Sequence, residues 1–582
     1  MTDIQWLIGG EAGYGIMTIG VMMSKIFTRL GLSVFDYVEY PSLIRGGHNA
    51  YYVRGASEQI FSQKKSVDII VALNRETIDK HKQELSDGAA IIYDDQLIKV
   101  DPAEFALGTV LIPVPFAGII KQINVDRLMI NTVAVGASLG LIHDDFNVLE
   151  KIMQDVFSKK GEEVVIENIN AAKSGFEYVQ KNSFGKFKRI IEKNILQTQK
   201  NILIGGGESV ALGAIQSGVN FSAIYPMTPV NGVMMTLIAQ SLKYGIVAKE
   251  PEDEIAGINM AIGASFAGAR SMVATSGGGF SLMVESVGLA AQTETPLVIV
   301  EGMRPGPATG MPTWTGQGDL RFVLHAGQDD FPRVVIAPGD MLEAFNMSMN
   351  AFNIADICQL PVILVVDKYL MEGHATVPFD KISSLAKNFV IKRGKIISDE
   401  DVALSTDYKR YSLVDDGISP RSIPGQKGGI ALSGSDEHDE RGLYNEEAEV
   451  RIKMMNKRFK KLESLELGFS PVDSYGLADA SLTIVGFGST KMPTLEAMNW
   501  LAKENISVNF LKINCLAPFP VDAVISAIGK SGKTLIIEGN KTGQLEGLIR
   551  EYTGLTMSHN FRKYDGRPFY PEEIIARIKE VL

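Results

Sequence analysis

The stretch FSAIYPMTPVNG, residues 221–232, joins a short apolar run to a Pro-x-Thr-Pro turn and then to an apolar run with helical spacing. The same order of strand, polar turn and helix recurs further on, in KEPEDEIAGINMAIGAS (249–265) and VATSGGGFSLMVES (273–286). Short strands that alternate with apolar helices are typical of a parallel sheet covered by helices on both faces. We therefore predict an α/β fold with an open parallel sheet at the centre of the chain.

Changes in this alternation of strands and helices divide the chain into four predicted stretches. Residues 1–190 and 191–385 repeat the alternation and are each predicted to form an α/β domain. Residues 386–470 contain the Gly-, Pro- and Ser-rich segments GISPRSIPGQKGG and SGSDEHDERG, so we predict a loop-rich connecting region. Residues 471–582 return to short strands and helices, which predicts a smaller third α/β domain.

Composition narrows the class of protein. The 582 residues are 45% hydrophobic, and the net charge of −11 disfavours nucleic-acid binding. The chain has no apolar run long enough to span a bilayer, and its start lacks the basic region of a signal peptide, so we expect neither membrane insertion nor export. The two cysteines, Cys358 and Cys515, are too few and too far apart for an iron–sulfur or four-cysteine zinc site. Few cysteines also suit the reducing cytoplasm, and we predict no metal site in this chain.

Polar residues follow the predicted strands where ligands bind in sheets of this kind. Because the carboxyl ends of parallel strands meet at one edge, Thr228, Glu254, the glycine loop 276–279 and Arg304 should share one crevice. Simpler explanations exist: Thr228 suits a helix N-terminal turn, and Glu254 suits the positive end of a helix dipole. The helix-dipole explanation of Glu254 has one difficulty. The helix after Glu254 is apolar nearly all round and therefore buried, so a carboxylate at its start needs a partner.

Glycines also mark the first predicted strand-to-helix turn. Gly9, Gly10, Gly13 and Gly15 would let the backbone approach a phosphate at a helix N-terminus, although they also suit any tight turn. A second segment, YPSLIRGGHN (40–49), places polar residues in a predicted loop between two strands. Such loops often carry function, but a solvated hairpin turn explains this one equally well.

These segments together resemble the 2-oxoacid:ferredoxin oxidoreductase family, and the resemblance covers essentially the whole chain. The matching segments are GGEAGYGIMT, YPSLIRGGHN, YPMTP, EPEDEIAGINMAIGAS, TSGGGFSLM, RPGPATGMPT, DGISPRSIPG, EHDERG, EGNKTGQLEGLIR and KYDGRPF. The family motif is usually Tyr-Pro-Ile-Thr-Pro, and Met227 here replaces one apolar residue with another. The resemblance implies a fused arrangement: a gamma-type domain in 1–190, a pyrimidine-binding thiamine-diphosphate domain in 191–385 and a transketolase-C-like domain in 471–582.

The resemblance also implies roles for single residues. Glu254 resembles the catalytic glutamate that hydrogen-bonds N1′ of the aminopyrimidine, and Thr228 and Arg304 resemble the pair that binds the substrate 1-carboxylate. The residues implied in binding thiamine diphosphate are Tyr225, Pro226, Thr228, Glu254, Ser276 and Gly277. Those expected near coenzyme A are Gly13, Gly15 and His48. Arg45 is our candidate for the second carboxylate of 2-oxoglutarate, but it could equally be solvated or contact coenzyme A.

A separate partner is implied as well. In the family a beta subunit holds the diphosphate and Mg²⁺ through a Gly-Asp-Gly motif and carries a [4Fe–4S] cluster; this sequence has neither the motif nor the cysteines. We expect an (alpha-beta)₂ assembly that reduces ferredoxin. The EHDERG segment looks most like the 2-oxoglutarate type. Pyruvate or a broad range of 2-oxoacids is the alternative, and a non-catalytic nucleotide-binding scaffold is the competing class.

Overall fold

The computed structural model describes residues 2–43, 46–192, 200–405, 407–477, 479–529 and 531–582. The strands are β1 (Asp3–Ala12), β2 (Ser33–Glu39), β3 (Gly46–Ala56), β4 (Val67–Ala72), β5 (Leu85–Tyr93), β6 (Val110–Pro113), β7 (Asn201–Gly205), β8 (Phe221–Ala223), β9 (Val247–Lys249), β10 (Ser271–Ser276), β11 (Leu297–Met303), β12 (Val334–Ile336), β13 (Pro361–Asp367), β14 (His374–Pro378), β15 (Val472–Tyr475), β16 (Leu482–Phe487), β17 (Asn509–Ile513), β18 (Cys515–Ala517), β19 (Lys533–Glu538) and β20 (His559–Arg562).

The helices are α1 (Ile16–Arg29), α2 (Arg75–His81), α3 (Phe116–Gln122), α4 (Ile130–Ile142), α5 (Asn147–Phe157), α6 (Glu162–Asn182), α7 (Gly206–Gln216), α8 (Asn231–Tyr244), α9 (Glu254–Phe266), α10 (Gly277–Gln292), α11 (Leu320–His325), α12 (Met341–Cys358), α13 (Lys368–Glu372), α14 (Phe379–Asn388), α15 (Asp399–Leu404), α16 (Ala448–Lys460), α17 (Lys491–Lys503), α18 (Val521–Ile528), α19 (Gln544–Thr553) and α20 (Pro571–Val581). Within the described ranges, no helix is both long and apolar enough to cross a membrane.

Contacts within the chain divide it into two compact units. Unit 1 comprises Met1–Ile204, Gly373–Asp380 and Phe569–Ala576, and unit 2 comprises Gly205–Glu372, Lys381–Pro568 and Arg577–Leu582. Each unit therefore takes segments from distant parts of the sequence. The predicted domain bounds at residues 190, 385 and 470 stay predictions.

Unit 1 is built on an eight-stranded mixed sheet with the order β6-β5-β4-β1-β3-β2-β14-β7. The neighbours β1, β4, β5 and β6 run parallel, whereas β3 is antiparallel to both β1 and β2. Apolar residues from the strands and from α1, α4, α5 and α6 form one buried core. The turn between β1 and α1 lies at the carboxyl end of β1 and contains Gly13 and Gly15, whereas Gly9 and Gly10 belong to the strand itself.

Unit 2 contains a seven-stranded sheet with the order β18-β12-β13-β11-β10-β8-β9. Apart from the antiparallel edge strand β18, the neighbouring strands run parallel. Every residue of β10, β11 and β13 is buried, as expected when helices cover both faces of a parallel sheet. The predicted open parallel sheet at the centre of the chain is thus confirmed.

A second, five-stranded sheet completes unit 2, with the order β15-β17-β16-β19-β20. Its apolar residues, such as Val485, Phe487 and Leu511, belong to the same buried cluster as Ile258 and Ile299 of the seven-stranded sheet and its helices. The stretch between α14 and β15 holds two helices, α15 and α16, and no strand among its described residues.

Candidate functional site

The order of the seven-stranded sheet defines where a ligand should bind. From β8 the chain moves through α8 to β9 on one side, and then through α9 to β10 on the other side of β8. This reversal is a topological switch point, and ligands in open α/β sheets bind outside the carboxyl ends of the strands at such a point. Thr228 follows β8, Glu254 follows β9, Ser276 ends β10 and Arg304 follows β11, so the sheet brings the predicted residues to this edge.

Two adjacent carboxylates at the start of α9 have different surroundings. Asp253 is the N-cap residue, and its side chain accepts a hydrogen bond from the backbone N–H of Ala256 at 2.8 Å. Glu254 is only 4% exposed, and its Oε1 is buried without a hydrogen-bond partner among the residues that the structure describes. Because an unpartnered buried carboxylate oxygen is costly, Glu254 fits a ligand that donates a hydrogen bond.

The glycine loop after β10 makes room for this glutamate. A Cβ atom on Gly279 would lie 2.4 Å from Oε1 of Glu254 and 2.1 Å from Oγ1 of Thr275, so a side chain there would displace the carboxylate. A Cβ on Gly277, the first residue of α10, would lie 2.4 Å from Oδ2 of Asp319. The hydroxyl of Ser276 is buried and likewise unpartnered within the described ranges. The loop therefore forms a close-fitting polar wall with unused hydrogen-bonding capacity.

Arg304 contacts the turn after β8 through a hydrogen bond. Its Nη1 donates to the backbone oxygen of Thr228 at 3.1 Å, and the side chain is nearly buried. Burial lowers the pKa of Arg304, whereas the nearby Asp319 carboxylate favours the charged form. A guanidinium remains charged under such conditions and presents a planar set of donors that suits a carboxylate. Tyr225 and Pro226 precede Thr228 in the same turn.

Sequence reasoning missed three acids near this edge: Glu301 and Asp367, which are buried, and Asp319, which is half-buried. Burial raises the pKa of each, and the neighbouring Asp319 carboxyl raises that of Glu301 further. An acid inside the apolar run VIVEGM was the signal that could have found Glu301. Asp319 has only a weak signal, because an Asp before a short helix is ordinary.

The loop that carries Arg304 is held by the five-stranded sheet. Within it, Gln317 donates from Nε2 to the backbone oxygen of Phe487 at 3.1 Å and accepts at Oε1 from the N–H of Gly539 at 3.0 Å. These bonds join the ends of β16 and β19 to the loop between β11 and α11. The second sheet of unit 2 therefore supports one wall of the site.

The predicted coenzyme A residues lie in unit 1 at one end of β1. Gly13 and Gly15 have positive φ angles of 98° and 67°, and Gly15 is the N-cap of α1. His48 pairs with Glu11 of β1, its Nε2 lies 2.7 Å from Nε2 of His81, and its Nδ1 is buried with no partner among the described residues. Arg45 lies outside the described residues, so its predicted role is not tested.

The chain is an α/β protein whose candidate ligand site lies at a topological switch point of the sheet. Family models match residues 5–178 (pyruvate ferredoxin/flavodoxin oxidoreductase) and 212–457 (pyruvate flavodoxin/ferredoxin oxidoreductase, thiamine diphosphate-binding). The chain is 32% identical, over its whole length and 98% of the relative, to 2-oxoacid:ferredoxin oxidoreductase 2, subunit alpha, of Aeropyrum pernix. It is 31% identical to 2-oxoglutarate synthase subunit KorA of Methanothermobacter thermautotrophicus, over 64% of this chain and 97% of that one.

Among solved structures, the chain resembles 2-oxoglutarate:ferredoxin oxidoreductase from Magnetococcus marinus, which has 2-oxoglutarate, coenzyme A and succinyl-CoA bound. The TM-score is 0.91 at 32% identity, covering 100% of this chain and 99% of that one. The chain belongs to the 2-oxoacid:ferredoxin oxidoreductase family. The predicted family, fold class and enzyme class are therefore confirmed.

Proposed function

We propose that this chain, together with a separate beta subunit, catalyses the oxidative decarboxylation of a 2-oxoacid to acyl-CoA and CO₂ with reduction of ferredoxin, and that 2-oxoglutarate is its preferred substrate. The observation that carries the proposal is Glu254. Its carboxylate oxygen is buried and unpartnered among the described residues, while the neighbouring Asp253 provides the N-cap hydrogen bond of the same helix.

The residues at the switch point fit the pyrimidine half of thiamine diphosphate. Glu254 would hold a hydrogen bond to the pyrimidine ring nitrogen, and the Ser276 hydroxyl and the Gly277 backbone would line the ring. Tyr225 and Pro226 would form the opposite wall. When bound, the cofactor supplies the electron sink for decarboxylation. Arg304 would bind the 1-carboxylate of the substrate with Thr228, because a guanidinium matches a planar carboxylate.

The remaining parts of the reaction are assigned to partners. We expect the beta subunit to hold Mg²⁺, the diphosphate and a [4Fe–4S] cluster, in an (alpha-beta)₂ assembly working in the cytoplasm. Coenzyme A is expected near Gly13, Gly15 and His48. The relatives whose names include 2-oxoglutarate support that substrate. Arg45 stays our candidate for the second carboxylate, on sequence grounds alone.

The test is an assay of the two subunits purified together. We expect reduction of a viologen dye that requires coenzyme A and is faster with 2-oxoglutarate than with pyruvate or a branched-chain oxoacid. A preference for pyruvate would contradict the substrate assignment alone. No reduction with any oxoacid, in a complex that binds thiamine diphosphate, would contradict the proposed reaction.

A further inference from the structure

The amino-terminal edge of the seven-stranded sheet carries an unusual concentration of buried cations. Asp356 of α12 contacts three arginines, Arg270 and Arg393 at 2.8 Å each and Arg421 at 3.3 Å. Arg270 directly precedes β10, so this cluster lies at the end of the sheet where the parallel strands begin. One carboxylate can neutralise only one of these three charges.

A second cluster adjoins the same edge, just before β11. Glu294 is fully buried and contacts the ammonium groups of Lys457 and Lys461, both at 2.6 Å. Arg410 donates from Nη2 to the backbone oxygen of Glu294 at 2.9 Å. The pKa of Lys461 is lowered to about 7, mainly because the ammonium group is buried. The charges of Lys457 and Arg410 also lower this pKa, whereas the Glu294 carboxylate raises it. The cluster thus holds more positive charge than its carboxylate balances.

Taken together, six basic side chains contact two acidic residues, five of them at the carboxylates and Arg410 at the backbone oxygen of Glu294. The cations are Arg270, Arg393, Arg410, Arg421, Lys457 and Lys461. All except Arg393 are at most 5% exposed. Arginine does not lose its proton in proteins, and a buried charge without a counter-charge is strongly destabilising. This imbalance indicates that a negative group outside the described residues completes the clusters.

A cavity lies where such a group would be bound. Its volume is about 290 Å³, and Arg410 and Arg421 both line it. Each of these arginines keeps a buried N–H that no described residue accepts, Nη1 in Arg410 and Nε in Arg421. Apolar residues, including Phe266 and Ile430, form other parts of the wall. The exposed side chain of Ile430 places the mouth of the cavity at the surface of unit 2.

This cavity and the thiamine site lie at opposite edges of one sheet. Helix α9 begins at Glu254 on the carboxyl edge and ends at Phe266, which lines the cavity. At about 1.5 Å per residue, roughly 18 Å of helix separates the two residues. The cations of this edge therefore cannot serve the group that Glu254 binds.

We propose that this cavity is a binding site for a small anionic molecule, whose carboxylate or phosphate group is held by Arg410 and Arg421 and whose apolar part contacts Phe266 and Ile430. Arginine suits either anion because its N–H groups form a planar fork that matches the oxygens of both. A cavity of about 290 Å³ admits a small metabolite rather than a folded segment of another chain.

The experiment uses the complex with its beta subunit, with inorganic phosphate and succinate as probes at constant ionic strength. Calorimetric titration should show saturable binding of one of them, and which one binds distinguishes a phosphate from a carboxylate site. Two variants should weaken that binding at least about tenfold: Arg410→Gln, which removes the charged donor, and Ala431→Phe, which fills the cavity and leaves both arginines in place. Arg441→Gln, at an exposed arginine paired with Asp407, should bind as the wild type does.

Three results would overturn the proposal. The first is that neither probe binds the wild-type complex. The second is that Ala431→Phe binds as tightly as the wild type, which would place the bound probe elsewhere. The third is that the lone full-length chain binds a probe and the complex does not, which would mean that a group of the partner fills the cavity. Binding that survives in Arg304→Ala supports the assignment, because it separates this site from the substrate carboxylate site.

Discussion

At the scale of the residue, the two carboxylates at the start of α9 have different roles: one caps the helix, and the other has a buried oxygen that suits a ligand. From the sequence, Glu254 could be a helix-start charge or a ligand-binding group. The structure gives the capping bond to Asp253 and leaves Oε1 of Glu254 buried without a partner among the described residues. Asp253 is therefore the capping residue, whereas Glu254, at the first position of α9, lies at the positive end of the helix dipole and also has an oxygen available to a ligand.

Substitution of Glu254 should lower turnover and leave stability nearly unchanged, whereas substitution of Asp253 should do the reverse. In the complex, Glu254→Gln should lower oxoacid-dependent dye reduction at least about 100-fold, because an amide carries neither the charge nor the proton-holding capacity of a carboxylate. Its stability should change little, since the two side chains have the same size. Asp253→Ala should lose about 1 kcal/mol of stability and keep its turnover, because it removes a cap. Turnover of Glu254→Gln within a few-fold of wild type would contradict the assigned role.

His48 in unit 1 should make the stability of the folded chain depend on pH. Burial, with smaller contributions from the nearby His81 and Lys80 charges, lowers the pKa of His48 to about 4. Because the folded pKa lies below the unfolded value near 6.5, only the unfolded state gains a proton as the pH falls from 6.5 to 4, and stability is lost over that range. Urea unfolding of the full chain at pH 7.5 and pH 5 should show a smaller acid loss for His48→Gln than for wild type. Equal losses would contradict the inference.

At the scale of the element, α10 approaches α9 closely because Gly279 has no side chain. Gly279→Ala would bring a Cβ to 2.4 Å from Oε1 of Glu254, so the carboxylate must move. Turnover should fall roughly 10- to 100-fold, because catalytic groups displaced by about 1 Å lose that much rate. The matched control is Gly263→Ala in α9, where a Cβ meets nothing within 4 Å. It should keep full turnover and gain up to about 1 kcal/mol of stability. Equal turnover in both variants would contradict the steric argument.

Local sequence pattern predicted much of unit 2 and less of unit 1. The runs around β8, β10 and β11 are apolar and end in polar turns, so their alternation with helices gave the parallel sheet and the edge that gathers Thr228, Glu254 and Arg304. Pairing across long distances has no local signal. Strand β14 lies inside the predicted middle domain, yet its Ala375 pairs with Phe35 of β2 in the first sheet. The interaction between Glu301 and Asp319 was equally invisible, because it depends on how a strand and a loop meet in space.

At the scale of the whole molecule, the question is where the electrons released from the substrate go. Both cysteines are buried, and burial raises the pKa of Cys358 to about 11 and that of Cys515 to about 12. Such groups are thiols at neutral pH and not the thiolates that bind iron. In the part of the chain that the structure describes, no group of three or more His, Cys, Asp or Glu side chains could hold a metal ion. The two thiols are therefore poor candidates for ligands of an iron–sulfur cluster.

The electron-accepting cluster that we propose for the beta subunit should accordingly depend on that subunit alone. The double variant Cys358→Ala/Cys515→Ala, purified with the beta subunit, should contain the same iron and sulfide per complex as wild type and show the same visible spectrum. Its dye reduction should also persist, because neither thiol takes part in electron transfer; only a modest loss of stability is expected from the two buried side chains. Iron analysis of the lone wild-type chain is the complementary measurement, and it should find none. Loss of iron from the double variant, or stoichiometric iron in the lone chain, would mean that this chain supplies cluster ligands. The assignment of the cluster to the beta subunit alone would then be wrong.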